Sequence, residues 1–245
     1  MRVFAAATGL VAVFWSLSAL AEGQPCYGVP ALADSEVAPQ LALVTPKGRT
    51  HFVKGSEQAG CPGAGAACAM GAFVVGGDAV ITSITSGEYA CATFTGPAPK
   101  AVSTSGFLPR TQLGAPLSQP SVNTAAAWAG AWHSGDEQTI TIKPKGDGHI
   151  AIAGEATWGM HDPERVKRGG VNVGEIEAEL SIADGVAAFA IDNDGSTKPI
   201  DLKPADNSDV CRVKLWRLGP YLVAADNMRC GGMNVTFTGV YRKAE

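Results

Sequence analysis

The sequence predicts an all-β chain made of two small barrels. Glycine is abundant at 30 of 245 residues, charged residues make up only 17%, and long segments of helical periodicity are absent. Short runs of alternating apolar and polar residues are separated by turn signals, a pattern typical of short strands joined by tight turns. The C-terminal half opens with Trp128-Ala-Gly130-Ala-Trp132 and closes with Phe237-Thr-Gly239-Val-Tyr241-Arg242. This pairing predicts a closed barrel whose first and last strands meet.

Residues 1–21 have the pattern of a secretory signal peptide. Arg2 precedes an apolar stretch that ends in Ala19-Leu20-Ala21, a small-x-small cleavage site. The alternative is an uncleaved membrane anchor, because the stretch approaches the length of a span. The Ala-x-Ala end and the polar residues that follow favour cleavage. We therefore expect a periplasmic or secreted protein with no membrane anchor after cleavage.

The cysteines support an oxidising compartment. All six lie after the predicted cleavage site, which predicts three disulfides. Four are early and two are late, so the simplest pairing keeps each bridge within its own half and joins Cys211 to Cys230. Among Cys26, Cys61, Cys68 and Cys91 the sequence leaves three connectivities open. Zinc sites need paired short cysteine spacings, and these are absent, so we expect no metal.

The charge balance argues against nucleic acid as a partner. The chain has 19 basic and 23 acidic residues, and cleavage removes one arginine and no acid, so the net charge falls from −4 to −5. No basic block is left that could neutralise a phosphate backbone.

The chain divides at a polar, proline-interrupted stretch that predicts a linker at residues 115–124. It separates a predicted domain of residues 22–114 from one of residues 125–245. Upstream, the predicted strands are residues 41–45, 50–54, 72–75, 79–84, 88–95 and 102–108. Downstream, they are residues 128–133, 138–143, 149–158, 173–182, 186–191, 210–216, 221–225 and 235–242. Eight downstream strands suit a small barrel that is filled by side chains or holds one ligand.

The first domain has a β-meander with a Gly77-Asp78 turn, a Ser86-Gly87 hairpin and a closing Gly106-Phe107-Leu108 strand. Over residues 41–113 it resembles the bacterial SH3-like (SH3b) domain, and the resemblance implies a small SH3-like barrel with a cell-wall peptide as partner. Phe107 stands where that family usually has tryptophan. Residues 60–68 replace the family's Arg-Ser-Gly-Pro loop, and we interpret them as a disulfide-tied loop that clamps a small core, with recognition as the alternative.

The second domain resembles the calycin (lipocalin-like) barrel over residues 125–245. The resemblance is carried by Gly130-Ala-Trp132 near the first strand and Arg242 near the last. It implies an antiparallel eight-stranded barrel in which Arg242 packs over Trp132 and closes one end by cation–π contact. The segments 218–223 and 230–235 also resemble uncharacterised secreted bacterial proteins.

The loop of residues 158–172 carries a dense cluster of charged residues in a chain that has few of them. Residues 162–168 predict a turn or two of helix, and a long loop between strands is often functional. The alternative is a solvated loop with internal ion pairs, such as Glu164 with Arg168. The segment of residues 226–234 is expected at the opposite rim, where its glycines favour a bulge and its methionines offer a contact surface as the alternative. The predicted binding residues are His161, Asp162, Glu164, Arg165, Lys167, Arg168 and Asn172.

No catalytic motif is present in the sequence. There is no Gly-x-Ser-x-Gly or His-Glu-x-x-His, and the cysteines are assigned to bridges. Asp192-Asn-Asp194-Gly195 does not fit a calcium loop, because Ala190 would be its first ligand. We expect no catalytic residues and no cofactor. The predicted function is a non-enzymatic binding protein acting on cell-envelope material or a protein partner. The alternatives are an inhibitor of a cell-wall-degrading enzyme of lysozyme type and a small-ligand carrier that uses the barrel interior.

Overall fold

The structure is a computed structural model that describes residues 25–29, 37–45, 47–98, 100–117, 122–146, 148–200 and 209–244. Its described residues form two antiparallel sheets and two short α-helices, which confirms the all-β prediction. The predicted signal peptide lies outside the described residues, as do residues 118–121 of the predicted linker.

The first sheet contains all six strands predicted upstream. The Gly-Asp turn is present: Gly77 has a φ of +93°, and the carboxylate of Asp78 accepts a hydrogen bond of 2.8 Å from the N–H of Val75. The strand order is β1-β4-β5-β6-β2-β3. The strands are β1 (Gln40–Leu43), β2 (Arg49–Val53), β3 (Ala69–Val75), β4 (Ala79–Ser86), β5 (Tyr89–Thr95) and β6 (Ser103–Pro109).

Two disulfides clamp the core of the first sheet. Cys26 is bonded to Cys91, and Cys61 to Cys68, so each bridge stays within this half of the chain as predicted. Both bridges pack around Phe107, which is completely buried where the resemblance placed a closing aromatic residue. The disulfide-tied loop at residues 60–68 is confirmed.

The second sheet is a nearly closed barrel of nine strands, one more than predicted. The additional strand is three residues long, too short to show an alternating pattern. The strand order is β10-β9-β8-β7-β15-β14-β13-β11-β12. The strands are β7 (Gly130–Ser134), β8 (Gln138–Gly146), β9 (His149–Trp158), β10 (Asn172–Ser181), β11 (Val186–Ile191), β12 (Thr197–Pro199), β13 (Cys211–Leu218), β14 (Tyr221–Asp226) and β15 (Gly239–Lys243), with helices α1 (Ala125–Trp128) and α2 (Pro163–Lys167).

The first and last strands of the barrel pair with each other, as the terminal motifs predict. His133 lies opposite Arg242, and Trp132 lies opposite Lys243. The barrel's open seam lies instead between β10 and β12. There the hydroxyl of Thr197 donates a hydrogen bond of 2.9 Å to the carbonyl of Glu177.

The predicted stacking of Arg242 on Trp132 is wrong. The guanidinium over the Trp132 ring belongs to Arg217, at 4.8 Å from the ring centroid, while Arg242 lies 4.5 Å from the centroid of Tyr221. The cause is strand alternation: Tyr241 is completely buried inside the barrel, so the next side chain points outward. Arg242 reaches the first sheet, where its Nε donates to the carbonyl of Gly96 over 3.3 Å.

Side chains fill the barrel interior in the described part of the chain. The inward-facing aromatic residues are almost inaccessible to solvent, as are isoleucines on three neighbouring strands. Of the two alternatives left open by the strand count, the structure shows a packed barrel rather than a cup. The largest of these buried side chains are Trp128, Trp132, Phe189, Phe237, Tyr241, Ile140, Ile150 and Ile152.

The two sheets share a buried apolar cluster. Leu41 and Ile81 of the first sheet pack in the same cluster as Trp216, Tyr221 and Val223 of the barrel. This cluster explains why the outer face of β13 and β14 is buried. The two halves of the chain are therefore held together by packed side chains as well as by the segment that connects them.

Candidate binding rim at one end of the barrel

The predicted charged segment forms a capped helix between β9 and β10. The carboxylate of Asp162 accepts hydrogen bonds from the N–H groups of Glu164 (3.0 Å) and Arg165 (3.2 Å). Asp162 is thus the N-cap, and Pro163 occupies the first turn, where its missing N–H costs nothing. The helical turn predicted for residues 162–168 is confirmed.

Arg165 fastens this helix to the barrel. Its guanidinium lies 3.7 Å from the centroid of the Trp158 ring, and its Nε is 3.4 Å from the Asp162 carboxylate. The ion pair predicted between Glu164 and Arg168 is not found in this described loop. Arg168 is the C-cap with a ψ of 6°, so it leaves the helix before helical spacing can align the two side chains.

A neighbouring turn holds the start of the loop. The carboxylate of Glu137 accepts hydrogen bonds from the N–H groups of Met160 (2.7 Å) and His161 (3.4 Å). The Nε2 of His161 lies 3.2 Å from the carbonyl oxygen of Asp136. His161 therefore has a structural role in joining the loop to this turn.

The loop of residues 227–234 lies at this same end of the barrel, and its predicted place at the opposite rim is wrong. The side-chain amide of Asn172 donates to the carbonyl of Met233 over 2.6 Å, and the N–H of Gly232 donates to the carbonyl of Val173 over 3.0 Å. A side chain at Gly174 would lie 2.5 Å from the carbonyl oxygen of Cys230. Glycine is therefore required there for the close approach of the two backbones. The predicted Cys211–Cys230 disulfide is confirmed and holds the loop from its other side.

These two loops and the start of β10 expose five apolar side chains, which we call the rim patch. The sequence prediction missed three of its members, Met160, Val166 and Val173. The sequence does contain a signal for Val173. It stands on the outward face of β10, where the next two outward residues are Glu175 and Glu177, so an apolar residue is unexpected there. The exposed fractions of the five side chains are 46% for Met160, 48% for Val166, 59% for Val173, 55% for Met228 and 79% for Met233.

The predicted binding residues divide into two groups around the rim patch. His161, Asp162, Arg165 and Asn172 are bonded within the protein and support the loops. Glu164, Lys167 and Arg168 are exposed, and no hydrogen bond or ion pair joins their side chains to another described residue. Of the seven predicted residues, these three are available to a partner.

A groove lined by carboxylates runs along the outer face of β8, β9 and β10, and we call it the acidic groove. Glu155 lies directly opposite Glu175, and Glu177 follows on the same face. Ile191 and Gly195 close the far side of the groove, which has a volume of about 440 Å³. Like charges on directly opposed residues repel each other, so the groove favours a cationic occupant.

The acidic groove continues into the rim patch. Val173 precedes Glu175 by two residues, so both side chains stand on the outer face of β10. At the tip between β11 and β12, hydrogen bonds from Ser196 lower the pKa of Asp194, and this carboxylate therefore stays ionised beside the groove.

Metal-binding clusters and membrane-spanning helices are both absent from the described residues. No group of three or more His, Cys, Asp and Glu side chains there is arranged to hold a metal ion. Across the same residues, no helix has the length and apolar character needed to cross a membrane.

Comparison with known proteins adds no relative. No protein-family model, curated protein or solved structure matches this chain. The resemblances of residues 41–113 to SH3b domains and of residues 125–245 to calycins therefore stay predictions.

Proposed function

We propose that this chain is a non-enzymatic binding protein of the periplasm or the secreted space, and that its rim patch binds a protein partner. The observation that carries the proposal is the exposure of five large apolar side chains on two adjoining loops and at the start of β10. Contiguous apolar surface on a protein's exterior marks interaction sites, and methionine adapts to a partner's shape. Three disulfides fit an oxidising compartment.

The rim patch stands on a rigid base. The Cys211–Cys230 disulfide, the Asn172–Met233 hydrogen bond and the Arg165–Trp158 stack each fix one part of it. A surface that is ordered before binding loses little conformational entropy on association. Lys167 and Arg168 follow Val166 in the sequence, and Arg229 follows Met228. Charged residues next to exposed apolar ones are the usual anatomy of a protein interface.

Affinity capture from an envelope extract tests the proposal. The immobilised wild type is compared with Val173→Ser/Met233→Ser, and with Val102→Ser as a matched control, since Val102 is 60% exposed on the other half of the chain. We expect a protein enriched by the wild type to fall at least about tenfold with the rim variant, as for loss of an interface hot spot. The control should capture it normally. Equal capture by the rim variant would overturn the proposal, and sedimentation with peptidoglycan alone would point to wall material instead.

Inhibition of a cell-wall-degrading enzyme is a second candidate, and the acidic groove favours it. Enzymes that act on anionic wall polymers gain association rate from a basic surface, and Glu155, Glu175 and Glu177 complement such a surface. A turbidity assay with a lysozyme and wall substrate tests it. We expect the wild type to slow lysis, and we expect a variant with Glu155→Gln, Glu175→Gln and Glu177→Gln to lose this protection. Undiminished lysis in the presence of wild type would contradict this candidate.

The carrier function is disfavoured by the packed barrel. Trp128, Trp132 and Phe189 occupy the interior that a ligand would need. The acidic groove lies outside it. The missing nucleophile motifs of the sequence support a non-enzymatic role.

A further inference from the structure

A second groove lies on the first sheet, far in sequence from the rim patch, and we call it the polar groove. It runs between β1, β4 and β5 on one side and residues 110–116 on the other. Its volume is about 520 Å³, within the range of sites for small ligands. The segment after β6 forms its wall, held by hydrogen bonds from Gly114 N–H to Leu43 (2.8 Å) and from Leu117 N–H to Leu41 (2.8 Å).

The floor of the polar groove is small and apolar. Ala42 and Ala90 are buried beneath it, and Leu113 and Pro116 line its wall. The hydroxyl of Thr82 is occupied, since it donates to the carbonyl of Gln40 over 3.4 Å. Thr85 and Thr111 are exposed at the edge and offer hydroxyl groups to a ligand.

One end of the polar groove carries an acid and a base side by side. Tyr89 pairs with Pro109, so the next residues, Glu88 and Arg110, face each other across β5 and β6. The N–H of Arg110 donates to the carbonyl of Glu88 over 2.8 Å. Both side chains are exposed, and within the described chain no ion pair joins either of them to another residue. Both charges are therefore available to a ligand.

We propose that the polar groove binds a small zwitterion, a free amino acid or short peptide with small apolar side chains. The carboxylate of Glu88 takes the ligand's ammonium group. The guanidinium of Arg110 takes its carboxylate through paired hydrogen bonds, the geometry for which arginine is suited. The alanine floor offers apolar contact to a small apolar side chain. This site is on the other sheet from the rim patch and does not depend on the function proposed for it.

Calorimetric titration with blocked and free probes tests the proposal. The probes are L-alanine, L-alanyl-L-alanine, its N-acetyl form and its C-terminal amide. We expect the free dipeptide to bind, and each block to weaken binding at least about tenfold, because each removes one charge-assisted contact. L-alanine binding as tightly as the dipeptide identifies the amino acid as the preferred source of the zwitterion. Dipeptide preference identifies a peptide.

Matched variants show which residue meets which charge. Glu88→Gln should bind the acetylated and the free dipeptide equally, and Arg110→Gln should bind the amide and the free dipeptide equally. Both residues are exposed, so the variants should fold. Glu155→Gln, in the acidic groove, should bind the probes as the wild type does. Absence of binding up to about 10 mM, or unchanged affinity in both groove variants, would overturn the proposal. Rim variants should leave these titrations unaltered, so the two proposals fail separately.

Discussion

The guanidinium of Arg217 lies 4.8 Å from the ring centroid of Trp132, and this contact seals one end of the barrel. Its Nε donates to the carbonyl of Ala127 over 3.2 Å, and a terminal nitrogen donates to the carbonyl of Tyr221 over 3.0 Å. One side chain thus ties β13 to α1, β14 and the buried indole. Burial lowers the pKa of this guanidinium below its usual range, yet the group stays charged at neutral pH.

Replacing Arg217 should therefore destabilise the barrel more than replacing Arg242. Arg217→Met removes two hydrogen bonds and a cation–π contact, and we expect it to lower the free energy of unfolding by about 2 kcal/mol. Arg242→Met loses the stack on Tyr221 and a longer hydrogen bond, and should cost about 1 kcal/mol. Urea unfolding followed by tryptophan fluorescence measures both. The reverse order would contradict the assignment of Arg217 as the closing residue.

Tyr241 should make stability fall at alkaline pH. Burial and the nearby Asp226 carboxylate raise its pKa well above 10.0, so the folded protein keeps a proton that the unfolded chain loses. The folded state then binds more protons, and stability decreases as the pH rises above about 10. Tyr241→Phe loses the 2.7 Å hydrogen bond to Phe237 and should be less stable by about 1 kcal/mol at neutral pH. The deficit should shrink above pH 10 when unfolding is measured across that range. A constant deficit would show that Tyr241 does not titrate differently in the two states.

Lys214 should act in the opposite direction. It is buried on β13 with its Nζ 4.8 Å from the Trp216 ring centroid, and burial lowers its pKa from 10.5. The pKa of Lys214 is lower in the folded protein than in the unfolded chain, so between these two pKa values the unfolded chain binds more protons. The contribution of Lys214 to stability therefore rises with pH across this interval. Lys214→Met keeps the packing and should gain about 1 kcal/mol at neutral pH. Lys143→Met, at an exposed position on β8, is the control. A loss of stability in Lys214→Met alone would mean that the charge on Lys214 is favourable.

The three disulfides should stabilise the protein in the order of the loops that they close. The sequence separations are 65 for Cys26–Cys91, 19 for Cys211–Cys230 and 7 for Cys61–Cys68. Each bridge restricts the unfolded chain, so replacing both of its cysteines with serine should lower the free energy of unfolding by roughly 4, 3 and 2.5 kcal/mol, in that order. Thermal unfolding gives the ranking. If the Cys61–Cys68 variant were the least stable, clamping of the native core around Phe107 would outweigh chain entropy.

Most of the fold could be predicted from sequence because strand alternation and turn chemistry are local. The alternation of apolar and polar residues predicted the bounds of β9 and β10 to within one residue. The expected oxidising compartment and the position of two cysteines late in the chain predicted the Cys211–Cys230 disulfide. β12 was missed, since three residues carry no periodic signal. The contact of Arg217 with Trp132 depends on how strands distant in sequence are placed against each other, so local sequence patterns did not predict it.

The site was predicted only in part for the same reason. The charged loop was located from composition, but His161 and Arg165 proved to support the fold. In an antiparallel barrel alternate connections lie at the same end, so the strand order already predicts that the loops before β10 and before β15 share one end. The contact of Asn172 with Met233 depends on the conformation of these loops and was not foreseen. The opposition of Glu155 and Glu175 follows from the register of β9 with β10, which sequence does not specify.

Photo-crosslinking through methionine tests the rim patch most directly. Beyond Met1, the chain has four methionines: three in the rim patch and Met70, which is partly buried in the first sheet and serves as an internal control. Protein carrying diazirine-labelled methionine is mixed with envelope extract, irradiated and mapped by mass spectrometry. We predict cross-links to one protein partner from Met160, Met228 and Met233, and none from Met70. Cross-links that are absent from the rim, or equally frequent at Met70, would contradict a partner-binding surface at this end of the barrel.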